Sequence, residues 1–281
     1  MGRTAAAKSG QEGPPTVRPG KSEWPRRVTA PPGRRRARVL CNRAAGRYRL
    51  IEVDDDAGPR RPTPGQFYML ASAEGWLGDD GRPWLARPFS HVRSEPLAFL
   101  IDPVGPGSRR LAALQAGQGV HLVGPLGQGF RPPATGATAL LVGGGIGIAP
   151  LGALAQRLGG ACEALLGFKD ALAAEAAALV AARRVALATD DGSLGHHGLV
   201  TDLLARRLEA GGAFELFACG PEPMLRAVAE AARAANVPAQ LAFEAPMACG
   251  FGACFGCAFE TQAGWMRLCL EGPVVDARDL P

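Results

Sequence analysis

The sequence predicts a multi-domain protein of β plus α/β class: an antiparallel β-barrel, a parallel-sheet α/β domain and a small cysteine-rich module. Three observations predict these parts. Short apolar runs separated by Gly and Pro fill residues 37–133. Apolar runs then alternate with helix-length amphipathic segments in residues 134–242. Four of the seven cysteines fall within residues 243–281, which are dense in glycine.

The first segment, residues 1–36, is predicted to be a disordered basic extension. Residues 1–38 contain ten Lys or Arg against two acids and show no hydrophobic periodicity. The net charge of +5 is therefore concentrated there, and the remaining residues carry a net charge of −3. We expect no nucleic-acid partner, because the folded part has no basic face.

Apolar segments also bear on the cellular compartment. Residues 1–36 contain no apolar run of the secretory type, and no stretch of the chain approaches the ~20 apolar residues that span a bilayer. The cysteines are not spaced like those of a small disulfide scaffold. The sequence favours a reducing cytoplasm and predicts no membrane association.

The barrel prediction depends on five short apolar runs, each bounded by turn residues: RVLCN, YRLIEV, QFYML, LAFLI and GVHLVG. This spacing is typical of an antiparallel barrel or sandwich. The α/β prediction depends on four longer apolar strands: TALLVGG, CEALLGF, VALATDD and FELFACG. A helix is predicted after each one: IAPLGALAQRLGG, AAEAAALVAARR, LVTDLLARRLEA and PMLRAVAEAARAA. Strands that are apolar throughout indicate a parallel sheet covered on both faces.

The strongest functional signal is a run of cysteines near the end of the chain. The spacing C-x4-C-x2-C-x11-C matches the ligands of plant-type 2Fe–2S ferredoxins, and it is formed by Cys249, Cys254, Cys257 and Cys269. Zinc is the alternative, but zinc sites usually contain two C-x2-C pairs and this chain has one. Four buried cysteines without a ligand would leave their density unexplained.

Glycines between these cysteines support the cluster interpretation. Gly250, Gly252 and Gly256 are expected to take positive φ values, so that the loop wraps a cluster and aims backbone N–H groups at the sulfurs.

A second motif, Arg87-Pro88-Phe89-Ser90, is predicted to lie between two barrel strands. Arg87 could bind a cofactor pyrophosphate through paired hydrogen bonds, and Ser90 could contact the edge of a flavin ring. A salt-bridged Arg before a strand is the alternative. Downstream, Gly105, Gly107 and Ser108 precede a predicted helix, which is an arrangement suited to anions.

Nucleotide binding is predicted where LLVGGGIGIAPL ends a strand and opens a helix. Its glycines are Gly143, Gly144, Gly145 and Gly147. The segment departs from G-x-G-x-x-G at Ala149 and Pro150, which favours transient binding of a dinucleotide.

Two further segments support a transient nucleotide. Cys219, Gly220 and Pro221 follow the fourth strand at its carboxyl end, where ligands of open α/β sheets bind. Cys219 could lie beside a nicotinamide ring, although a lone cysteine there is more commonly a small buried residue. Asp190 follows the third strand, and an acid at that place would repel a 2′-phosphate and favour NAD over NADP.

Seven motifs, in their order along the chain, resemble those of the ferredoxin–NAD(P)H reductase superfamily. They are RPFS, VGPGS, GPLGQGF, VGGGIGIAP, TDDGSLG, CGPEPML and CGFGACFGC-x11-C. More narrowly, residues from about 38 onward resemble the electron-transfer subunits of NAD-linked, two-subunit dihydroorotate dehydrogenases. The resemblance implies a barrel that holds FAD, a nucleotide domain that binds NAD transiently, and a 2Fe–2S module. It also implies an FMN-containing catalytic partner subunit, in a heterotetramer, that supplies electrons from dihydroorotate.

Carried over by position, the resemblance implies that FAD contacts Arg87 through Ser90, Leu100, Ile101, Asp102, Gly107 and Ser108. Relatives often place an aromatic and a basic residue where this chain has Ile101 and Asp102, and Ser108 replaces a more usual Thr. No histidine lies in a motif for a nucleophile or base, which suits chemistry performed by cofactors. A ferredoxin:NAD(P) reductase subunit, a soluble-hydrogenase flavin subunit and a non-catalytic redox sensor are the alternatives.

Overall fold

The computed structural model describes residues 33–74, 76 and 85–281, and the chain begins there with a closed barrel. Six antiparallel strands form the barrel: β1 (Arg35–Ala45), β2 (Tyr48–Asp54), β3 (Phe67–Ser72), β4 (Arg87–Ser94), β5 (Leu97–Ile101) and β6 (Gly119–Leu126). They pair in the order β1-β2-β5-β4-β3-β6. A short helix, α1 (Pro106–Ala112), precedes β6. The barrel expected from the short apolar runs is confirmed.

The barrel begins at Arg35, two residues before the predicted boundary. The Arg35 guanidinium donates to both carboxylate oxygens of Asp55 at 2.6 Å and to the Gly124 carbonyl at 2.6 Å. These bonds fix the start of β1 against two other parts of the barrel. The predicted disordered extension is therefore wrong for Arg35 and Arg36, while its residues 1–32 lie outside the described residues.

Strand β4 corrects a second prediction, because RPFS is the first half of a strand and not a segment between strands. Ser90 pairs with Phe67 of β3, and Arg87 pairs with Leu70. The pairing of β4 with β5 starts only at His91. The first half of β4 consequently has one open edge, where the missing N–H of a proline costs no ladder hydrogen bond.

The α/β domain is built on a seven-stranded sheet. Its parallel strands are β7 (Thr138–Gly144), β8 (Cys162–Phe168), β9 (Arg184–Thr189), β10 (His196–His197), β11 (Phe214–Cys219) and β12 (Ala239–Ala242). The main helices are α2 (Ile148–Arg157), α4 (Val200–Glu209) and α5 (Glu222–Ala234). Alternate residues of β7 pack on opposite sides of the sheet, Leu141 in one core and Leu140 and Val142 in the other. Burial on both faces confirms the parallel sheet.

The helix predicted over AAEAAALVAARR is wrong. The chain forms one turn of α-helix, α3 (Ala171–Ala174), and continues as a 3-10 segment over Glu175–Leu179 before it turns extended at Val180. Most alanines of this stretch are buried against the domain core. Tertiary packing has overridden the helix propensity of alanine here.

The cysteine module is joined to the α/β sheet. It contains a hairpin, β13 (Ala258–Thr261) and β14 (Gly264–Arg267), and a last strand, β15 (Val274–Asp276). Strand β15 pairs antiparallel with β12 and completes the seven-stranded sheet. The inner face of the hairpin packs through Phe259, whose ring lies 4.7 Å from that of Phe243. This pairing holds the module in a fixed place beside the other two parts.

None of the helices formed by the described residues combines the length and the apolar character needed to cross a membrane.

Candidate flavin, nucleotide and cluster site

A cleft of about 350 Å³ lies where the barrel, the α/β domain and the cysteine module meet. The open edge of β4 forms one wall, the end of β5 and the start of α1 form a second, and the loop before α2 forms a third. Residues 242–247, which lead from β12 into the cysteine module, form the fourth wall. The cleft thus joins segments that are far apart in the sequence.

Eight of the nine residues expected to contact FAD line this cleft: Arg87, Pro88, Phe89, Ser90, Leu100, Asp102, Gly107 and Ser108. The exception is Ile101, whose side chain is fully buried in the barrel core with Phe99 and Leu111. The pleat of β5 explains the difference, because neighbouring residues of a strand point to opposite faces.

The cleft places Arg87 where an anionic ligand could reach its guanidinium. Arg87 Nη1 donates to the Leu85 carbonyl at 2.6 Å. Among the described residues, no carboxylate forms an ion pair with Arg87, so the salt-bridged alternative finds no support in that part of the chain. Ser108 has a local role, since its hydroxyl accepts from the Gly105 N–H at 3.0 Å and caps the first turn of α1.

Asp102 takes the place where a basic residue was expected from the resemblance. Its carboxylate lies 3.5 Å from the Arg47 guanidinium, which is contributed by the turn between β1 and β2. Arg47 also lies over the ring of Tyr48, 5.8 Å from its centroid. The Asp102 charge at the cleft wall is therefore balanced by a residue from a different part of the barrel.

Two of the predicted nucleotide residues, Gly147 and Cys219, line the cleft. They are in close contact: a β-carbon at residue 147 would lie 2.5 Å from the Cys219 carbonyl oxygen. This approach brings the loop before α2 against the carboxyl end of β11. A side chain at residue 147 would clash with the Cys219 backbone, so this close approach depends on a glycine.

The other predicted nucleotide residues lie behind or away from the cleft. Gly143 is packed between Ile148 and Leu166, while Gly144 lies against Pro221 and Gly220. The full set of these residues has two parts. Five lie near the carboxyl ends of β7 and β11, namely Gly143, Gly144, Gly145, Gly220 and Pro221, and the sixth, Asp190, follows β9. Asp190 is exposed, and β9 is separated from β7 by β8 in the sheet.

Glu244 is a cleft residue that the sequence reasoning missed. It lines the cleft next to Phe243 and Ala245, just after β12. Partial desolvation by the cleft walls raises the pKa of Glu244 above its usual range. Burial also raises the pKa of the Cys219 thiol, and the nearby charge of Glu244 raises it further. Strand β12 was not predicted, and an acid directly after the apolar run LAF was the signal that could have located Glu244.

The cluster loop, residues 249–257, begins two residues after Met247 of the cleft wall. Gly250 and Gly252 adopt positive φ values of 78° and 88°, as predicted. Gly256 does not, and the positive φ of 57° falls on Phe255 instead. Gly256 acts through its backbone, because its N–H donates to Cys254 Sγ at 3.5 Å. The space around a β-carbon at residue 256 is open, with no described atom closer than 3.6 Å.

The four predicted ligand thiols interact with one another. Cys249 is hydrogen-bonded to Cys254, and Cys257 to Cys269. Within the described residues, no three Cys, His, Asp or Glu side chains already surround one metal position. All seven cysteines are free thiols. Three thiols on one loop with a sulfur-directed N–H group, joined by a fourth thiol that follows β14, are the donor set that an iron–sulfur cluster requires.

Local contacts give two of these thiols different acidities. Burial raises the pKa of Cys249, but backbone hydrogen bonds at Phe251, Cys254 and Ala253 outweigh it and lower the pKa to about 6. Burial raises the pKa of Cys269 to about 12, with a further contribution from the Cys257 thiol. The thiol at the start of the loop is thus the readier to form a thiolate.

The fold is that of the ferredoxin reductases. A solved NADH-dependent reduced ferredoxin–NADP oxidoreductase superimposes with a TM-score of 0.73 at 23% identity, covering 87% of this chain and 89% of that chain. A ferredoxin NADP+ reductase from Neisseria gonorrhoeae superimposes with a TM-score of 0.56 at 17% identity, over 72% of this chain and 91% of that one.

Sequence comparison is more specific. Residues 244–281 match the family described as the iron-sulfur cluster binding domain of dihydroorotate dehydrogenase B. The electron transfer subunit of dihydroorotate dehydrogenase B (NAD(+)) from Clostridium acetobutylicum is 35% identical over 236 residues, covering 81% of this chain and 92% of that protein. The Bacillus caldolyticus subunit of the same name is 40% identical over 235 residues, covering 77% and 86%. The chain belongs to the family of dihydroorotate dehydrogenase B (NAD(+)) electron transfer subunits.

This membership confirms the class expected from the sequence: an oxidoreductase subunit for electron transfer. The expected cofactors, FAD, a 2Fe–2S cluster and NAD, are likewise confirmed for the class.

Proposed function

We propose that this chain passes electrons from the catalytic subunit of a dihydroorotate dehydrogenase to NAD in pyrimidine biosynthesis. One observation carries the proposal: the wall of the cleft continues directly into the cluster loop. Met247 lines the cleft, and Cys249 follows two residues later. Met69 and Leu126 of the barrel pack against Gly250 of the same loop. The cleft and the cluster ligands are therefore adjacent parts of one rigid arrangement.

For FAD, the proposed contacts are the eight cleft residues described above. Arg87 is suited to the pyrophosphate because its guanidinium can donate two parallel hydrogen bonds to phosphate oxygens. Ser90 offers a hydroxyl at the open edge of β4. Bound FAD exchanges electrons singly or in pairs, which allows a one-electron cluster to be coupled to two-electron NAD chemistry. The apolar residues Phe89 and Leu100 exclude water from the cleft.

For NAD, we assign Gly147, Cys219 and Glu244 to the reacting end of the nucleotide. Gly147 lets the loop before α2 lie against the carboxyl end of β11, so that Gly147 and Cys219 line the same part of the cleft. Glu244 lines the same part of the cleft, where partial desolvation raises the pKa of its carboxyl. Asp190 at the end of β9 would disfavour a 2′-phosphate, which supports NAD over NADP. The glycines behind the cleft shape the loop backbone.

The partner subunit is proposed to dock on the outer face of the cysteine module. Three large apolar side chains are exposed there: Phe251 at 53%, Phe255 at 62% and Trp265 at 74%. Aromatic residues are enriched at protein interfaces, and docking here would bring the partner's cofactor close to the cluster loop. We further propose that the complex is a heterotetramer with an FMN-containing catalytic subunit, and that it works in the reducing cytoplasm, where seven free thiols are maintained.

The test is reconstitution. The full chain, prepared anaerobically, is mixed with a dihydroorotate dehydrogenase catalytic subunit, and dihydroorotate-dependent NAD reduction is followed. We expect NAD reduction that needs both proteins. NADH-driven bleaching of the flavin without coupling to orotate would favour the ferredoxin or hydrogenase type of reductase, and a bound cluster without any NADH-driven reduction would favour a redox sensor.

A further inference from the structure

Arg267 lies against the cluster loop from the neighbouring hairpin. It is the last residue of β14, and it pairs with Ala258 of β13. Ala258 directly follows Cys257, and Arg267 precedes Cys269 by two residues. The register therefore places Arg267 between two of the four proposed cluster ligands. The Leu268 N–H donates to the Cys257 carbonyl at 3.0 Å and fixes this register.

The Arg267 side chain spans both halves of the cluster loop. Its Nη1 donates to the carbonyl of Gly252 at 3.3 Å, and Gly252 lies between Cys249 and Cys254 in the chain. Its Cζ lies 5.1 Å from the centroid of the Phe255 ring, between Cys254 and Cys257. One guanidinium thus contacts the two segments that separate the first three thiols. Such a cation–π contact and charged hydrogen bond restrain loops in a way that a flexible ammonium does not.

Glu271 fixes the orientation of the guanidinium. Arg267 Nη2 donates to Glu271 Oε1 at 2.9 Å, and the Arg267 backbone N–H donates to Glu271 Oε2 at 2.8 Å. One carboxylate therefore holds both the backbone and the side chain of Arg267. The Arg267 side chain is 32% exposed, so its charge is only partly screened by solvent.

We propose that Arg267 is a positioning residue for the cluster, which braces the cysteine loop and raises the reduction potential of the bound cluster. This inference rests on the proposed function, because it concerns the 2Fe–2S cluster of the same module. Reduction adds one negative charge to a centre that four thiolates already make anionic, and a fixed cation nearby stabilises that form. Loss of Arg267 would also leave the Glu271 carboxylate uncompensated, which shifts the potential in the same direction.

The experiment is a redox titration of the full chain, prepared anaerobically with its cluster and followed by electron paramagnetic resonance. Arg267→Gln removes the charge and the brace, whereas Arg267→Lys keeps the charge and loses the planar contacts. Arg226→Gln is the matched control, because Arg226 forms an ion pair with Glu222 four residues away, on α5, and is also partly exposed. The second readout is the rate at which each variant loses its cluster to an iron chelator.

We expect Arg267→Gln to have a lower midpoint potential than both the wild type and Arg226→Gln, and to lose its cluster about 10-fold faster. Arg267→Lys is expected to keep a midpoint near that of the wild type and still lose its cluster faster than Arg226→Gln. If Arg267→Gln cannot be isolated with a cluster, Arg267→Lys decides the test. The proposal is supported if Arg267→Lys has a midpoint potential near that of the wild type and loses its cluster faster than Arg226→Gln does. Equal midpoints and equal loss rates for the Arg267 variants and Arg226→Gln would overturn it. Wild-type protein without iron and sulfide would instead overturn the proposed function.

Discussion

The side chain of Arg87 lies directly against Gly107. A β-carbon at residue 107 would come within 3.0 Å of Arg87 Cγ and Nε, whereas one at Gly105 would meet no described atom within 4 Å. Gly105 caps α1 and Gly107 lies in its first turn, yet only a β-carbon at residue 107 would press on the arginine. The space above Gly107 is what allows the guanidinium to lie along the cleft.

Gly107→Ala should therefore displace Arg87 and weaken FAD binding about 10-fold, which corresponds to ~1.4 kcal/mol, the size of one charge-assisted hydrogen bond. The backbone of α1 tolerates alanine, so the fold itself should not weaken. Equilibrium dialysis of FAD measures the effect. Arg109→Ala, at an exposed residue of α1 that does not line the cleft, is the control and should bind FAD like the wild type; wild-type affinity in Gly107→Ala would remove Arg87 from the flavin site.

Cys254→Ser should abolish electron transfer to the partner subunit, lowering dihydroorotate-dependent NAD reduction by about 100-fold or more, because the substitution removes a proposed cluster ligand. NADH-driven reduction of a dye should be largely retained, since Cys254 does not line the cleft. Both rates are measured on the same preparation together with its iron and sulfide content. Cys41→Ser, in β1, is the control for thiol loss and should leave both rates unchanged. Equal loss of the two activities in Cys254→Ser would contradict the proposed order of carriers.

His91 should make the protein acid-sensitive. Its ring is fully buried in β4, and burial lowers the pKa of His91 from 6.5 to about 4. The folded state therefore binds this proton more weakly than the unfolded chain does. The contribution of the neutral ring to the free energy of unfolding is therefore complete above pH 6.5. It falls by about 3 kcal/mol as the pH decreases to 4.

Urea denaturation at a series of pH values tests this expectation. His91→Gln should show a smaller fall in the free energy of unfolding between pH 7 and pH 4 than the wild type. His197→Gln, at an exposed histidine, is the control and should fall as the wild type does. A His91→Gln profile parallel to that of the wild type would show that His91 does not determine the acid sensitivity.

Glu244 should have the opposite pH dependence. Partial desolvation raises its pKa in the folded state, so the folded protein holds this proton more tightly than the unfolded chain. The corresponding stability is present at low pH and is lost as the pH rises through the folded pKa. Glu244→Gln, which cannot ionise, should gain stability relative to the wild type as the pH increases from 5 to 8. Thermal unfolding of the two proteins across that range gives the comparison, and a constant difference in Tm would show that folding does not raise the pKa of Glu244.

The sequence alone located the main parts of this protein. The cysteine spacing predicted the cluster ligands, because three of the four cysteines fall close together in the chain. Runs such as TALLVGG and FELFACG identified the parallel sheet, since strands buried on both faces contain no polar alternation. RPFS and VGPGS pointed to the flavin site, although the strand character of Arg87–Ser90 was not recognised because a proline lies inside it.

Tertiary structure decided which of those residues share a cavity. Leu100 and Ile101 are neighbours in β5, but the pleat of the strand places the first at the cleft and the second in the barrel core. Glu244 and Arg267 gave no motif, because their proposed roles come from a place in the cleft near Cys219 and from contacts with Gly252 and Phe255. A local pattern records which groups are present, whereas distances between groups remote in sequence are fixed only when strands pair and faces are buried.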